Sequence, residues 1–290
     1  YSNEIKENFE VLIKNDLVNN NSNYLLTSKN VYNLVNKLDN ISILELDVNN
    51  NETLLKYIIN QYLKEEVYEA NMQIPKESLA IVTFGNVSGI DRNAGVMAIK
   101  PSGVPYHKLT VADIVVMDLD LQVVEGNLRP SSDTKTHMLL YKHFPSIGGI
   151  CHTHSTYAVS WAQACKSIPN LGTTHADHLI AAVPVTEVMH DEMIQRDYEL
   201  ETGYQILNLF KDQGLSAQEV EMVLVACHGP FTWGKNPEKA IYNSIVLEEI
   251  ARMAYLTLQI NPDASPIKQS LMDKHYYRKH GKDAYYGQSC

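Results

Sequence analysis

The sequence predicts an α/β fold, and three observations carry that prediction. Short apolar runs of strand length, such as Val96 to Lys100, Asp113 to Asp118 and Glu221 to Ala226, are interleaved with longer segments whose apolar residues recur three and four apart. Gly, Pro and Asn gather where one pattern gives way to the other. Polar clusters rich in histidine stand at the ends of several strand-like runs, where loops held by a rigid scaffold carry chemistry.

Composition narrows the function. A chain of 290 residues can bury one large core or two modest ones. Its 34 acidic against 24 basic side chains leave a net charge of -10, the wrong sign for a nucleic-acid footprint, although a few local donors can still hold an anionic metabolite. No apolar run approaches the roughly 20 residues of a membrane span, and no basic start leads into an apolar signal segment. Cys151, Cys165, Cys227 and Cys290 lack a paired spacing, which argues against a disulfide framework and for a reducing cytoplasm. The first residue is Tyr1 rather than methionine, so a fragment with an upstream part is expected.

Residues 1 to 58 read as an N-terminal α/β extension, or the remnant of an upstream domain. Ile5 to Ile13, Val31 to Leu38 and Leu54 to Leu63 have helical spacing, while Tyr24 to Leu26 and Ile41 to Leu46 are strand-like. No catalytic constellation stands out there. From residue 59 to 290 a second domain is expected. A helix runs from Tyr62 to a break at Pro75, and strands follow at Leu79 to Phe84, Val87 to Asp91 and Val96 to Lys100. Lys100-Pro101-Ser102-Gly103 then makes a turn that serves either as a plain reversal or as a phosphate cradle, glycine letting backbone approach a ligand and Ser102 adding a hydroxyl.

Asp113 to Asp118 and Leu121 to Val124 form a hairpin around Leu119 and Asp120. Ser131, Ser132 and Asp133 then precede a run with helical spacing. All three have a capping reading, and the serines also have a phosphate reading, because a helix start collects unpaired amides.

Gly149 to Ser155 is a buried strand on which alternate side chains share a face, so His152 and His154 lie side by side. Two neutral imidazoles there suit one divalent ion, although ordinary core or surface histidines fit the bare pattern too. A helix follows from Tyr157 to Cys165, then a polar loop from Gly172 to His178, a strand-like run from Leu179 to Val183 and a long helix over about Met189 to Phe210. Glu221 to Ala226 is read as the last strand, with His228 at its mouth, Cys227 buried and facing away, and Gly229-Pro230 stopping regular structure. A buried helix spans Pro237 to Leu258, and the tail from Ser270 onward is dense in His, Arg and Tyr.

Gly85-Asn86-Val87-Ser88, Lys100-Pro101-Ser102-Gly103, Pro130-Ser131-Ser132-Asp133-Thr134, His152-Thr153-His154, Thr174-His175-Ala176-Asp177, His228-Gly229-Pro230 and Tyr285-Tyr286-Gly287 occur in that order. Together they resemble the L-ribulose-5-phosphate 4-epimerase family of the class II aldolase superfamily. The resemblance implies a central, mainly antiparallel sheet flanked by helices, and a homotetramer with active sites between subunits. It implies one zinc ion per subunit held by His152, His154 and His228, with Asp133 at the associated acidic position. Gly85, Asn86, Ser102, Gly103, Ser131 and Ser132 match substrate-binding positions with Lys100 close by, Asp177 and Tyr286 match an acid/base pair, and His275 and Arg278 match supporting tail positions.

The implied substrate is a phosphorylated pentulose from the breakdown of arabinose or ascorbate. Its C4 hydrogen is not acidic, because the C2 ketone is too distant to stabilise a C4 carbanion. Inversion by retro-aldol cleavage of the C3–C4 bond and re-addition to the other face suits zinc acting as a Lewis acid and a pair of proton-transfer groups. Two rivals remain: a class II aldolase, whose relatives typically carry Glu at the position of Asp133, and a non-catalytic sugar-phosphate binder with a zinc closed by Cys151 or Cys227.

Overall fold

The computed structural model describes residues 51–280 and 284–285. The elements expected before residue 51 lie outside the described residues, as does Tyr286. The chain divides into two compact units, Tyr1–Tyr62 and Leu63–Cys290. Of the first, the described part is helical backbone, the start of α1 (Asn51–Lys76).

The second unit is built on a seven-stranded sheet: β1 (Asn86–Asp91), β2 (Val96–Ile99), β3 (Val115–Asp118), β4 (Val123–Glu125), β5 (Gly149–His152), β6 (Met222–Val225) and β7 (Gly229–Gly234). Every strand pairing is antiparallel and the spatial order is β4-β3-β2-β1-β5-β7-β6. Helices α2 (Thr134–His143), α3 (Thr156–Gln163), α4 (Thr173–Ala176), α5 (Asp191–Asp212), α6 (Pro237–Ile260) and α7 (Gln269–His280) complete it. The α/β architecture with a central antiparallel sheet is the expected one.

Period-two alternation explains the two layers. Met97, Ile99, Val115, Met117 and Ile150 point into one core, which Met138, Leu140 and Tyr141 of α2, Ala158 and Ala162 of α3 and Ile206 and Phe210 of α5 close. Val96, Ala98, Val116 and Cys151 point the other way, onto Val67, Ala70 and Ile74 of α1 and Ala240 and Ile241 of α6. Asn236 caps α6, its side-chain oxygen accepting the Lys239 N–H at 2.9 Å, with Pro237 pre-set for the first turn.

Several local readings change. Leu79 to Phe84 is not a strand: the Leu79 N–H turns back to Ile74 O, the Phe84 N–H to Ile81 O, and Val82 takes a left-handed φ of 59°. Leu179 to Val183 contributes only an isolated bridge, Ile168 to Val183, because the Leu179 N–H is taken by His175 O at the end of α4. The Gly172 to His178 loop contains that short helix. Glu221 to Ala226 is not the last strand, since β7 begins at Gly229 with Pro230 inside it. Proline is tolerated there because what it contributes is a carbonyl, which accepts from His152, and not the N–H it lacks. Cys227 is exposed, not buried, because φ of 59° turns it out of the strand direction.

Candidate active site

Three histidine side chains meet at one end of β5. His152 ends the strand, His154 follows two residues later, and His228 comes from the turn between β6 and β7. Their donor nitrogens all lie within 4.8 Å of one another. His152 stacks on Phe231 with ring centroids 4.4 Å apart, and its Nδ1–H donates to Pro230 O at 2.9 Å. That bond fixes the tautomer and leaves the Nε2 lone pair facing His154 Nε2, 3.1 Å away. Two nitrogens at 2.0–2.1 Å from a tetrahedral ion would stand about 3.3 Å apart, so the spacing fits a shared cation.

Burial, then the proximity of the His152 imidazole, lowers the His228 imidazole to about 3 and holds His154 below its ordinary value. Both are therefore neutral nitrogen donors at physiological pH. Cys151 packs in the core on the opposite face of the sheet and Cys227 faces Cys165 Sγ, so neither joins the cluster. Among the described residues the cluster brings three histidines together and no cysteine, which counts against a closed structural zinc.

The histidines line a cleft of about 350 Å³ together with Gly85, Asn86, Lys100, Ser102, Gly103, Ser131, Ser132 and Asp133. Asn86 is the cross-strand partner of His152, which is why the two stand together. Its Nδ2–H donates to Asp133 Oδ2 at 2.6 Å, while Asn86 Oδ1 is buried with no partner among the described residues. A buried carbonyl oxygen without a donor is costly unless a ligand supplies one.

Gly85 is required twice over: φ is +78°, and a Cβ would stand 2.9 Å from His152 O. Tyr106 Oη–H donates to Phe84 O and Gly85 O at 2.8 and 3.0 Å, clamping this approach.

Asp133 occupies the cap position of α2 but makes no side-chain cap bond. Burial disfavours its charge, yet the His152 and His137 imidazoles, the Asn86 hydrogen bond and His228 outweigh this and hold the carboxyl below its usual range. Ser131 Oγ accepts the Asp133 N–H at 3.3 Å, so Ser131 partly fulfils its capping reading while lining the cleft. Lys100 is almost wholly buried, with Nζ 3.3 Å from Thr83 O, and burial lowers its ammonium to about 8.

Tyr198 and Glu199 also line the cleft, and sequence reasoning missed both. Tyr198 Oη lies 3.2 Å from His228 Nδ1, so an Nδ1–H donating to it leaves Nε2 free for a metal. These two follow Asp197, whose φ of -155° and ψ of 86° break α5. Asp197 Oδ1 accepts the Leu200 N–H at 3.3 Å, restarting the helix. An N-cap residue inside a long helical run was the available signal.

Asp177, His275 and Arg278 come together elsewhere, not on the lining of this cleft. Asp177 Oδ1 accepts from His275 Nδ1 at 2.9 Å, and Arg278 reaches both carboxylate oxygens at 2.8 Å. Lys279 Nζ adds an ion pair at 3.4 Å. Burial pushes the Asp177 carboxyl up, but these bonds and charges prevail and hold it below its usual value.

Residues 65–255 match the family described as class II aldolase and adducin N-terminal domain. The chain belongs to that family. A protein named L-ribulose-5-phosphate 4-epimerase UlaF from Salmonella paratyphi A is 50% identical over 228 residues, covering 79% of this chain and 99% of the relative. Among solved structures, an L-fuculose 1-phosphate aldolase aligns with a TM-score of 0.62 at 25% identity, over 76% of this chain and 96% of that one. Another from Glaciozyma antarctica PI12 aligns with a TM-score of 0.62 at 18% identity, over 77% and 83%, and shares the fold. Among the described residues no helix is long and apolar enough to cross a membrane.

Proposed function

We propose that the chain is a zinc-dependent L-ribulose-5-phosphate 4-epimerase, interconverting L-ribulose 5-phosphate and D-xylulose 5-phosphate by cleavage and re-formation of the C3–C4 bond. The observation that carries this reading is the 50% identity, over nearly the whole length of the relative, to a protein bearing that name. The histidine cluster supports the chemistry. His152, His154 and His228 would hold the ion, with Asp133 beside them, and a divalent cation bound there would supply Lewis-acid stabilisation of developing oxyanion charge.

The remaining work falls to the chain's own side chains. Ser102, Ser131 and Ser132, with the amides around Gly85 and Gly103, cradle the phosphate and keep the C4–C5 fragment from leaving, while Lys100 adds charge. Asn86, its amide held by Asp133, offers Oδ1 to a substrate hydroxyl. Asp177 and Tyr286 take and return the C4 hydroxyl proton on opposite faces, the direction of reaction deciding which is base. His275 and Arg278 orient Asp177. Because Asp177 does not line its own chain's cleft, we assign it to the cleft of a neighbouring subunit in a cytoplasmic homotetramer. Residues 59–290 are the catalytic domain, and residues 1–58 an extension outside the reaction.

The test is to follow L-ribulose 5-phosphate by NMR with the zinc-loaded protein and with a chelated sample. D-xylulose 5-phosphate formed only in the loaded sample is expected. Dihydroxyacetone with glycolaldehyde phosphate would instead establish an aldolase. Asp177→Asn and Tyr286→Phe should keep the metal and lose most turnover; full activity in both would remove the acid/base pair.

A further inference from the structure

We propose that Cys165 and Cys227 form a reversible disulfide under peroxide, making a thiol modification site beside the histidine cluster. The inference rests on the thiol geometry and holds whichever reaction the cleft performs. The two residues are 62 apart in sequence, yet their Sγ atoms stand 3.7 Å apart and both side chains are exposed. A disulfide needs about 2.05 Å, so the two sulfurs have less than 2 Å to close.

The backbone prepares the pair. One carbonyl, Ala162 O near the end of α3, accepts both the Cys165 N–H at 3.0 Å and the Cys227 N–H at 2.9 Å, so the two segments are pinned at a shared point. Both cysteines take left-handed backbone, φ 52° and 59°, where glycine or asparagine is the easier residue. Two cysteines held in that conformation facing one another are placed to react together. Cys151 offers no competition: it is buried, and burial lifts its thiol to about 12.

The chemistry balances with one equivalent of hydrogen peroxide. One thiolate attacks a peroxide oxygen, breaking the O–O bond and becoming a sulfenic acid as water leaves. The second thiolate attacks that sulfur, the S–S bond forms, and hydroxide departs as water with the remaining proton. Two thiols are oxidised and the peroxide is reduced to two waters. The cross-link joins the end of the helix that follows His154 to the residue immediately before His228, so the segments carrying two of the histidines become covalently tied.

The experiment uses the full chain carrying Cys290→Ser, reduced and then treated with equimolar hydrogen peroxide. The expected result is simultaneous loss of two of its three remaining thiols, a mass lower by two hydrogens, a linked Cys165–Cys227 peptide, and complete reversal by dithiothreitol. A rise in melting temperature of the oxidised protein, absent in Cys165→Ser, is the second expected readout. Persistence of both thiols, addition of oxygen atoms without a linked peptide, or cross-links between chains in place of the internal one would overturn the proposal.

Discussion

Replacing Asn71 with alanine should unfold the support of the cleft from behind. Asn71 lies on α1 and is fully buried. Its Nδ2 donates to Val67 O at 2.7 Å and Val87 O at 2.9 Å, and its Oδ1 accepts the Val87 N–H at 2.8 Å. Val87 pairs with Cys151 of β5 on one side, but on the other β2 has already ended at Ile99, opposite Ser88, so this carboxamide takes the place of a β2 neighbour. Alanine would leave one buried N–H and one buried C=O unpaired, at roughly 1–3 kcal/mol each, so about 4 kcal/mol for the pair. For a unit of this size that is a fall in melting temperature of roughly 8–16 °C. Thermal and urea unfolding at one fixed protein concentration measure it. Asn71→Leu, close in volume, should be nearly as damaging, because it refills the space without restoring the bonds. Wild-type stability in Asn71→Leu would refute the hydrogen-bond account and leave packing as the cause. Because Val87 adjoins Asn86, the surviving fraction of Asn71→Ala should also show a raised KM.

Three further outcomes are expected. Tyr198→Phe removes the oxygen beside His228 Nδ1 and should weaken metal affinity about 10–100-fold, measured by chelator competition; unchanged affinity would leave Tyr198 without an orienting role. For Lys100, whose ammonium burial lowers to about 8, the charge is present below that pH and lost above it, so the KM for a phosphorylated substrate should rise as pH climbs through about 8. Lys100→Arg keeps its charge and should flatten that rise, whereas Lys100→Met should raise KM roughly tenfold or more below about pH 8, the weight of one charged hydrogen bond, with the gap to the wild type closing above that pH. Arg278→Leu removes bonds that hold the Asp177 carboxyl down, so that carboxyl moves up and the acid limb of the pH–rate profile should shift to higher pH; a fixed limb would show that Asp177 does not govern it.

What could be read in the sequence was governed by neighbours along the chain. The strands β1, β2 and β3 were legible because alternate residues face two different cores, and α6 because apolar residues fall on most of its faces. Leu79 to Phe84 misled because apolar composition alone does not make a strand: Ile81 and Val82 are exposed at 70% and 69%. The strand β7 was missed because the rule that proline stops regular structure ignores a carbonyl for which His152 waits. Asp197 hid a break inside an otherwise helical run, and with it Tyr198 and Glu199.

By itself the sequence placed His152 and His154 two apart where a buried strand runs out, although the strand stops at His152 and His154 lies beyond its end. It also carried the ordered motifs by which the chain resembles its family. The resemblance pointed to His228 as the third histidine and to His275 and Arg278 as supporting positions; the tertiary structure showed the contacts that bring them together, and it alone decided that Asn86 stands across from His152 and that Cys165 meets Cys227. Those neighbours are set by which strands pair and which helices cover each face, and that choice follows from burying both apolar faces of the sheet at once, a condition no local stretch of sequence expresses.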